Sequence, residues 1–160
     1  MDYTEKLKTF PMLENIPRED LAALSALLRE ERFPAGKDIL SEGAQGNEMY
    51  LLTEGSVDII KATVFGDSFV VTTLDDRSHS VFGEMALIDP DRRSSTVRAK
   101  TDCRTLVINR ESFDRFCEEH PRCGVMMLRM ISIHLVRNIR RENENLKQVY
   151  QALIEEIEAG

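Results

Sequence analysis

KDILSEGAQGNEMYLLTEGSVDII, residues 37–60, is the stretch on which the architecture turns. Short apolar segments alternate here with glycine-bearing turns at Gly43, Gly46 and Gly55. The same pattern continues through SFVVTTL, STVRA and CRTLVI as far as residue 109, with Gly36 and Gly66 as further punctuation. Several short strands at this spacing predict a small sandwich or jelly roll. One segment breaks the pattern. EMALI, residues 84–88, consists of good helix formers with no β-branched residue before Ile88, and reads as a short helix.

Outward from this region the periodicity is helical. PREDLAALSALLREE, residues 17–31, predicts a helix with Pro17 in its first turn, Glu19 and Asp20 where the dipole favours acids, and Leu21, Leu24, Leu27 and Leu28 on one face. FPAG, residues 33–36, stops it. On the other side RESFDRFCEEH predicts a short helix capped by Asn109. A run from Pro121 to about Glu158 then holds no further proline and only Gly124 as an internal glycine. Its ~38 helical residues would span roughly 57 Å, longer than the domain is wide, so part should project or pair. Val125, Leu128, Leu135, Ile139, Leu146, Val149 and Leu153 fit a heptad seam, interrupted by Ser132, Glu142 and Glu156. Two-helix pairing into a homodimer is expected; the bland alternative is one helix lying along its own sandwich. The fold class expected is therefore mainly β with flanking helices, α+β. Residues 1–120 would carry the β-roll with its helices, and residues 121–160 the long C-terminal helix.

Composition limits the function. With 160 residues, 42% hydrophobic and 31% charged, the chain suits one globular domain with a true core. A net charge of −7 argues against a dedicated nucleic-acid binder. No run of 18 apolar residues suggests a membrane span, and the mixed N-terminus has no signal-peptide core. Cys103, Cys117 and Cys123 form no CxxC pair and read as reduced thiols of a cytoplasmic protein. His79, His120 and His134 show no metal spacing and are expected in solvated or capping roles. The adjacent acids Asp75-Asp76 and Glu155-Glu156 point apart, and no triad is visible, so an enzyme is not expected.

The chemistry concentrates in FGEMALIDPDRRSSTV, residues 82–97. Gly83 can take a conformation closed to other residues and lets a group approach the backbone. The helix it opens leaves its first amides unpartnered, which favours an anion. Arg93, after the Asp89-Pro90-Asp91 turn, can grip a phosphate with two parallel hydrogen bonds. Ser94 adds a hydroxyl. Glu84 is a strong acceptor suited to a sugar hydroxyl. A cyclic nucleotide joins a phosphate to a sugar hydroxyl at this distance. The bland alternative is a surface turn closed by a Glu84–Arg93 salt bridge.

This segment resembles the phosphate-binding cassette of the cyclic nucleotide-binding domains, a family that includes bacterial catabolite gene activators and regulatory subunits of cAMP-dependent protein kinase. The family pattern F-G-E-[LIM]-A-L, then R-[AST]-[AS]-[TWS]-V, is matched by Phe82, Gly83, Glu84, Met85, Ala86 and Leu87, then Arg93, Ser94, Ser95, Thr96 and Val97. Gly36, Ile39, Glu42, Gly43, Gly46, Tyr50, Leu52, Gly55 and Val57 also fit the family's glycine-studded strands. The resemblance spans roughly residues 10 to 145. It implies that Arg93 binds an equatorial phosphate oxygen and that Glu84 accepts from the ribose 2′-hydroxyl. Amides near Gly83 to Ala86, with Ser94, would complete the cradle. It further implies a base-capping residue on the long helix: ungapped counting from Arg93 reaches Asn138, with Arg137 or Arg141 as stacking alternatives. cAMP is expected over cGMP because an amide fits an adenine edge; the alternative is a dimeric interaction scaffold with an unoccupied or cGMP-binding pocket. No catalytic cofactor is implied, and the signal would pass through the C-terminal helix to a dimer mate or a downstream protein. Two departures stand out. RSHSV precedes Phe-Gly-Glu where the family often has a glycine. Bacterial activators follow the long helix with a winged helix-turn-helix, whereas residues 140–160 hold three basic and five acidic residues and no DNA-reading element.

Overall fold

The chain opens with one helical turn, α1 (Thr4–Leu7), which the sequence periodicity above does not mark. Phe10, Leu13 and Ile16 then follow Leu7 at intervals of three, and each amide bonds the carbonyl three residues back at 3.1, 2.8 and 3.1 Å. A three-residue repeat keeps their side chains on one face, and all four are buried. The computed structural model describes residues 1–89 and 91–159; Pro90 of the expected Asp89-Pro90-Asp91 turn lies outside the described residues.

Helix α2 (Arg18–Leu27) is shorter than the expected span of residues 17–31, and Pro17 is its cap rather than its first helical residue. Leu28 is extended (φ −88°, ψ 146°), and Arg29–Phe33 form strand β1. The cause is tertiary. REERF pairs antiparallel with residues 103–107, and five paired residues outweigh the weak helical preference of a charged segment.

The glycine-punctuated region supplies strands β2 (Asp38–Leu40), β3 (Glu48–Glu54), β4 (Ser56–Ala62), β5 (Ser68–Asp75) and β6 (Val81–Phe82). A single turn, α3 (Met85–Ile88), follows at the expected EMALI position. Strands β7 (Thr96–Ala99) and β8 (Cys103–Asn109) complete two four-stranded antiparallel sheets, ordered β1-β8-β3-β6 and β2-β7-β4-β5. This is the expected jelly-roll-like β fold with flanking helices.

The central strands β3 and β8 of the first sheet are buried on both faces, which is why Met49-Tyr50-Leu51-Leu52 in β3 is continuously apolar rather than alternating. Met49 and Leu51 face the helices, packing with Leu106, Ile108, Phe113 and Phe116. Tyr50 and Leu52 face the second sheet, packing with Val57, Phe82, Val97 and Val107. The site grows from the seam between these two clusters.

Helix α4 (Arg110–Glu119) starts as expected at Asn109, whose side chain accepts from the Ser112 amide at 2.8 Å. Helix α5 (Pro121–Ala159) has two distinct faces. Cys123, Met127 and Ile131, spaced by four, are buried against the domain, and Leu135 packs partly on the same core. Five of the heptad residues face elsewhere: Val125, Ile139, Leu146, Val149 and Leu153 are each at least 50% exposed. Beyond Leu135 the helix therefore does not lie along its own sandwich.

All three cysteines are free thiols. The histidines take the expected solvated or capping positions. His79 follows the short helical turn Asp76–Ser78 and His120 ends α4, and His120 also bonds Asp20 at 2.6 Å. His134 is solvated, with 46% of its side chain exposed. Its ring bonds a buried carboxylate in the site described next.

Candidate functional site

Strand β6 ends at Phe82, whose ring stacks flat on Tyr50 with centroids 5.2 Å apart. That stack anchors the backbone just before Gly83. Gly83 has φ +76°, and an added Cβ would lie 2.8 Å from the Glu48 carbonyl oxygen and 3.0 Å from Arg93 Nη1. Both the conformation and the close packing demand glycine here. After it the chain turns into α3, which has only four residues. So short a helix carries little macrodipole, and its amides count individually. The Ala86 amide donates to the Gly83 carbonyl and the Leu87 amide to that of Glu84. The amides of Gly83, Glu84 and Met85 donate to no protein group among the described residues, so of the expected cradle only the Ala86 amide is already committed.

Arg93 is held from three sides. Its backbone bridges the β2–β3 connection: its amide donates to the Ala44 carbonyl at 2.8 Å, and its carbonyl accepts from the Gly43 amide at 2.9 Å. Its Nη1 donates to the carbonyls of Glu48 at 2.9 Å and Gly83 at 3.3 Å. Across the guanidinium lies Gly46, where any Cβ would collide with Nε, Nη2 and Cζ. The glycine expected only as strand punctuation is in fact a face of the arginine slot.

The electrostatics are uneven. Arg93 is buried, at 9% exposure, yet no carboxylate lies within ion-pair distance among the described residues. Burial lowers its proton affinity below the ordinary arginine value, while Tyr50, Glu48 and Glu84 pull the other way. Nε and Nη2 donate to no described protein group. The bland alternative, a Glu84–Arg93 salt bridge, does not occur. Glu84 is buried too, at 6% exposure, and its Oε1 is 3.0 Å from His134 Nδ1 of α5. This hydrogen bond is the main cause that raises the His134 imidazole above its ordinary value.

The supporting frame is polar. Glu48 accepts from the Tyr50 hydroxyl at 2.8 Å and from Arg29, which fixes the residue whose carbonyl holds Arg93. Burial pushes the Tyr50 hydroxyl up, keeping it a donor. Arg110 ties α3 to the start of α4 by donating from Nε to the Ala86 carbonyl at 2.9 Å.

The other expected residues are placed as follows. Ser94 is exposed, with its hydroxyl 3.9 Å from the Met85 sulfur; Ser95 is half-buried. Met85 is 49% exposed at the rim and Ala86 is buried. The cassette therefore gathers Phe82, Gly83, Glu84, Met85, Ala86, Arg93, Ser94 and Ser95. Asn138 is not joined to it by any hydrogen bond among the described residues; its Oδ1 accepts from Arg141 at 3.4 Å. It does lie one helical turn beyond His134, on the same face. His134 is the residue the sequence reading missed. Its signal was available: four residues before Asn138, it occupies the helix face already assigned to the ligand.

The residue pattern of the "Cyclic nucleotide-binding domain" family matches residues 30–120. The "CRP-like cAMP-activated global transcriptional regulator" of Mycobacterium tuberculosis is 27% identical over 135 residues, covering 84% of this chain and 58% of that protein. The "cAMP-dependent protein kinase regulatory subunit" of Aspergillus fumigatus is 33% identical over 113 residues, covering 71% of this chain and 26% of that one. This chain thus spans less than two thirds of either relative's length. A solved cyclic nucleotide-binding domain from Methylobacillus flagellatus superposes with a TM-score of 0.79 at 20% identity, covering 89% of this chain and 82% of that domain.

Proposed function

Because the chain belongs to the cyclic nucleotide-binding domain family, we propose that it is a sensor of cAMP, with Arg93 and Glu84 as the residues that read the ligand. The observation that carries this reading is Arg93: a buried guanidinium with two nitrogens uncommitted and no carboxylate beside it among the described residues. A buried cation without a counter-charge is costly, and a phosphate would repay that cost with two charge-assisted hydrogen bonds. The Glu84 and Met85 amides would add donors on the same anion. Ser94 would join them by rotating its hydroxyl away from the Met85 sulfur.

Glu84 would accept the ribose 2′-hydroxyl on Oε2, the oxygen that His134 leaves open. The base would lie toward α5, with Asn138 capping its edge. An amide offers a donor and an acceptor to adenine, which is why cAMP is preferred to cGMP. The names of the two curated relatives, one "cAMP-activated" and one "cAMP-dependent", favour the same nucleotide. Closure of α5 over the base is the output, passed to a second copy through the exposed heptad stripe or to a downstream protein. A ligand drives such closure only as far as it binds the closed position more tightly.

The sugar contact supplies the test. cAMP and 2′-deoxy-cAMP are titrated into the wild type and Glu84→Ala. The wild type should lose about ten- to hundredfold in affinity when the hydroxyl is removed, the range for a hydrogen bond to a charged group. Glu84→Ala should bind both nucleotides equally. A variant that still distinguishes them would remove Glu84 from the sugar site.

A further inference from the structure

Beyond Ile131, the last buried residue of α5, the His134–Glu84 contact is the one hydrogen bond that joins this helix to the rest of the protein among the described residues. The helix expected to move on binding is thus fastened to the cassette at the carboxylate expected to hold the sugar. Resting on the cAMP reading above, we propose that His134 is a positioning residue of the nucleotide site, whose protonation is coupled to binding, so that acid tightens the grip on cAMP and on α5 together.

The geometry allows both partners at once. The imidazole uses Oε1 alone, and a carboxylate accepts at each oxygen, so the sugar hydroxyl and His134 need not compete. Charges around the ring set the direction of coupling. Glu84, from the α3 turn, favours the imidazolium; Arg137 and Arg141, from α5 itself, oppose it. Arg93 interacts electrostatically with Glu84, as it does with Tyr50 and Glu48. A phosphate monoanion bound by Arg93 would bring a new negative charge into the cassette that holds Glu84, and an added negative charge near the ring favours the imidazolium. Nucleotide binding therefore raises the proton affinity of the imidazole, and by linkage the proton raises the affinity for nucleotide.

The sign follows. His134 starts raised above the ordinary histidine value of 6.5, through its bond to Glu84, and nucleotide raises it further. Affinity should be highest and level where the ring is protonated in both states. It should fall as pH rises through the free and then the bound value, and level again once the ring is neutral in both. The steepest slope for one proton is about tenfold per pH unit.

The test is the cAMP dissociation constant of the intact protein across about pH 5.5 to 8.5, the span in which histidine titrates. The wild type should weaken about threefold or more toward alkaline pH. His134→Gln, which donates but does not titrate, should be level at the weak alkaline value. His134→Arg, a permanent cation, should be level and restore the tight acid value. Level wild-type binding overturns the proposal, as does affinity that rises with pH. So does a His134→Gln variant that keeps the wild-type slope, since a group other than His134 would then carry it. Tight but level binding leaves the cAMP reading intact, whereas no wild-type binding at any pH overturns both.

Discussion

Arg93 shows how much one residue can determine when its neighbours are backbone. Its Nη1 is satisfied by two carbonyls, which orient the guanidinium without neutralising it. That leaves the charge and two donors for a ligand, a preorganised arrangement that a carboxylate partner would have spoiled. Gly46 is the other half of the device. Because a Cβ there would occupy the guanidinium's own space, Gly46→Ala should push the arginine out of register while leaving the two sheets intact. We expect cAMP affinity to drop at least about tenfold with a nearly unchanged melting temperature, read by titration and by thermal unfolding. Unchanged affinity would show that the slot is not what aligns Arg93.

At the scale of elements, α5 has a face in search of a partner. Ile139, Leu146 and Leu153 recur every seven residues and are 59%, 51% and 50% exposed. A stripe of this length on a lone chain marks an interaction surface, and a heptad spacing suits a second copy of the same helix. Changing Ile139 and Leu146 together to Lys should convert a dimer to a monomer in sedimentation velocity, with the β-roll still folded. A wild type that sediments as a monomer would contradict this. The elements were unequally legible. The strands of residues 37–60 announce themselves because glycine turns bracket each apolar segment. Strand β1 does not, because REERF carries no intrinsic strand signal and becomes a strand only by pairing with β8. The turns of residues 4–16 hide for another reason: Leu7, Phe10, Leu13 and Ile16 repeat every three residues, a spacing that neither helix nor strand templates detect. In the site, Glu84 and Arg93 are legible as chemistry. Their real neighbours, a carbonyl of Glu48 and an imidazole fifty residues downstream, come from topology.

The whole molecule joins these scales through one seam. The sandwich interior ends at the stacked Phe82 and Tyr50 rings, the helical core ends at Leu87 and Ile131, and the cassette sits between them. A ligand there would touch both halves of the core and the root of the projecting helix, as the proposed sensor role requires. The net charge of −7 makes the point sharper, because an acidic protein must hold an anion by local geometry rather than by its long-range field. The central claim is that this geometry binds a cyclic nucleotide through Arg93, and titration calorimetry of cAMP into the whole protein, beside Arg93→Ala, tests it most directly. The account predicts one site per chain in the wild type and a loss of about a hundredfold or more in the variant. Wild-type and variant titrations that coincide, with both proteins folded, would contradict it.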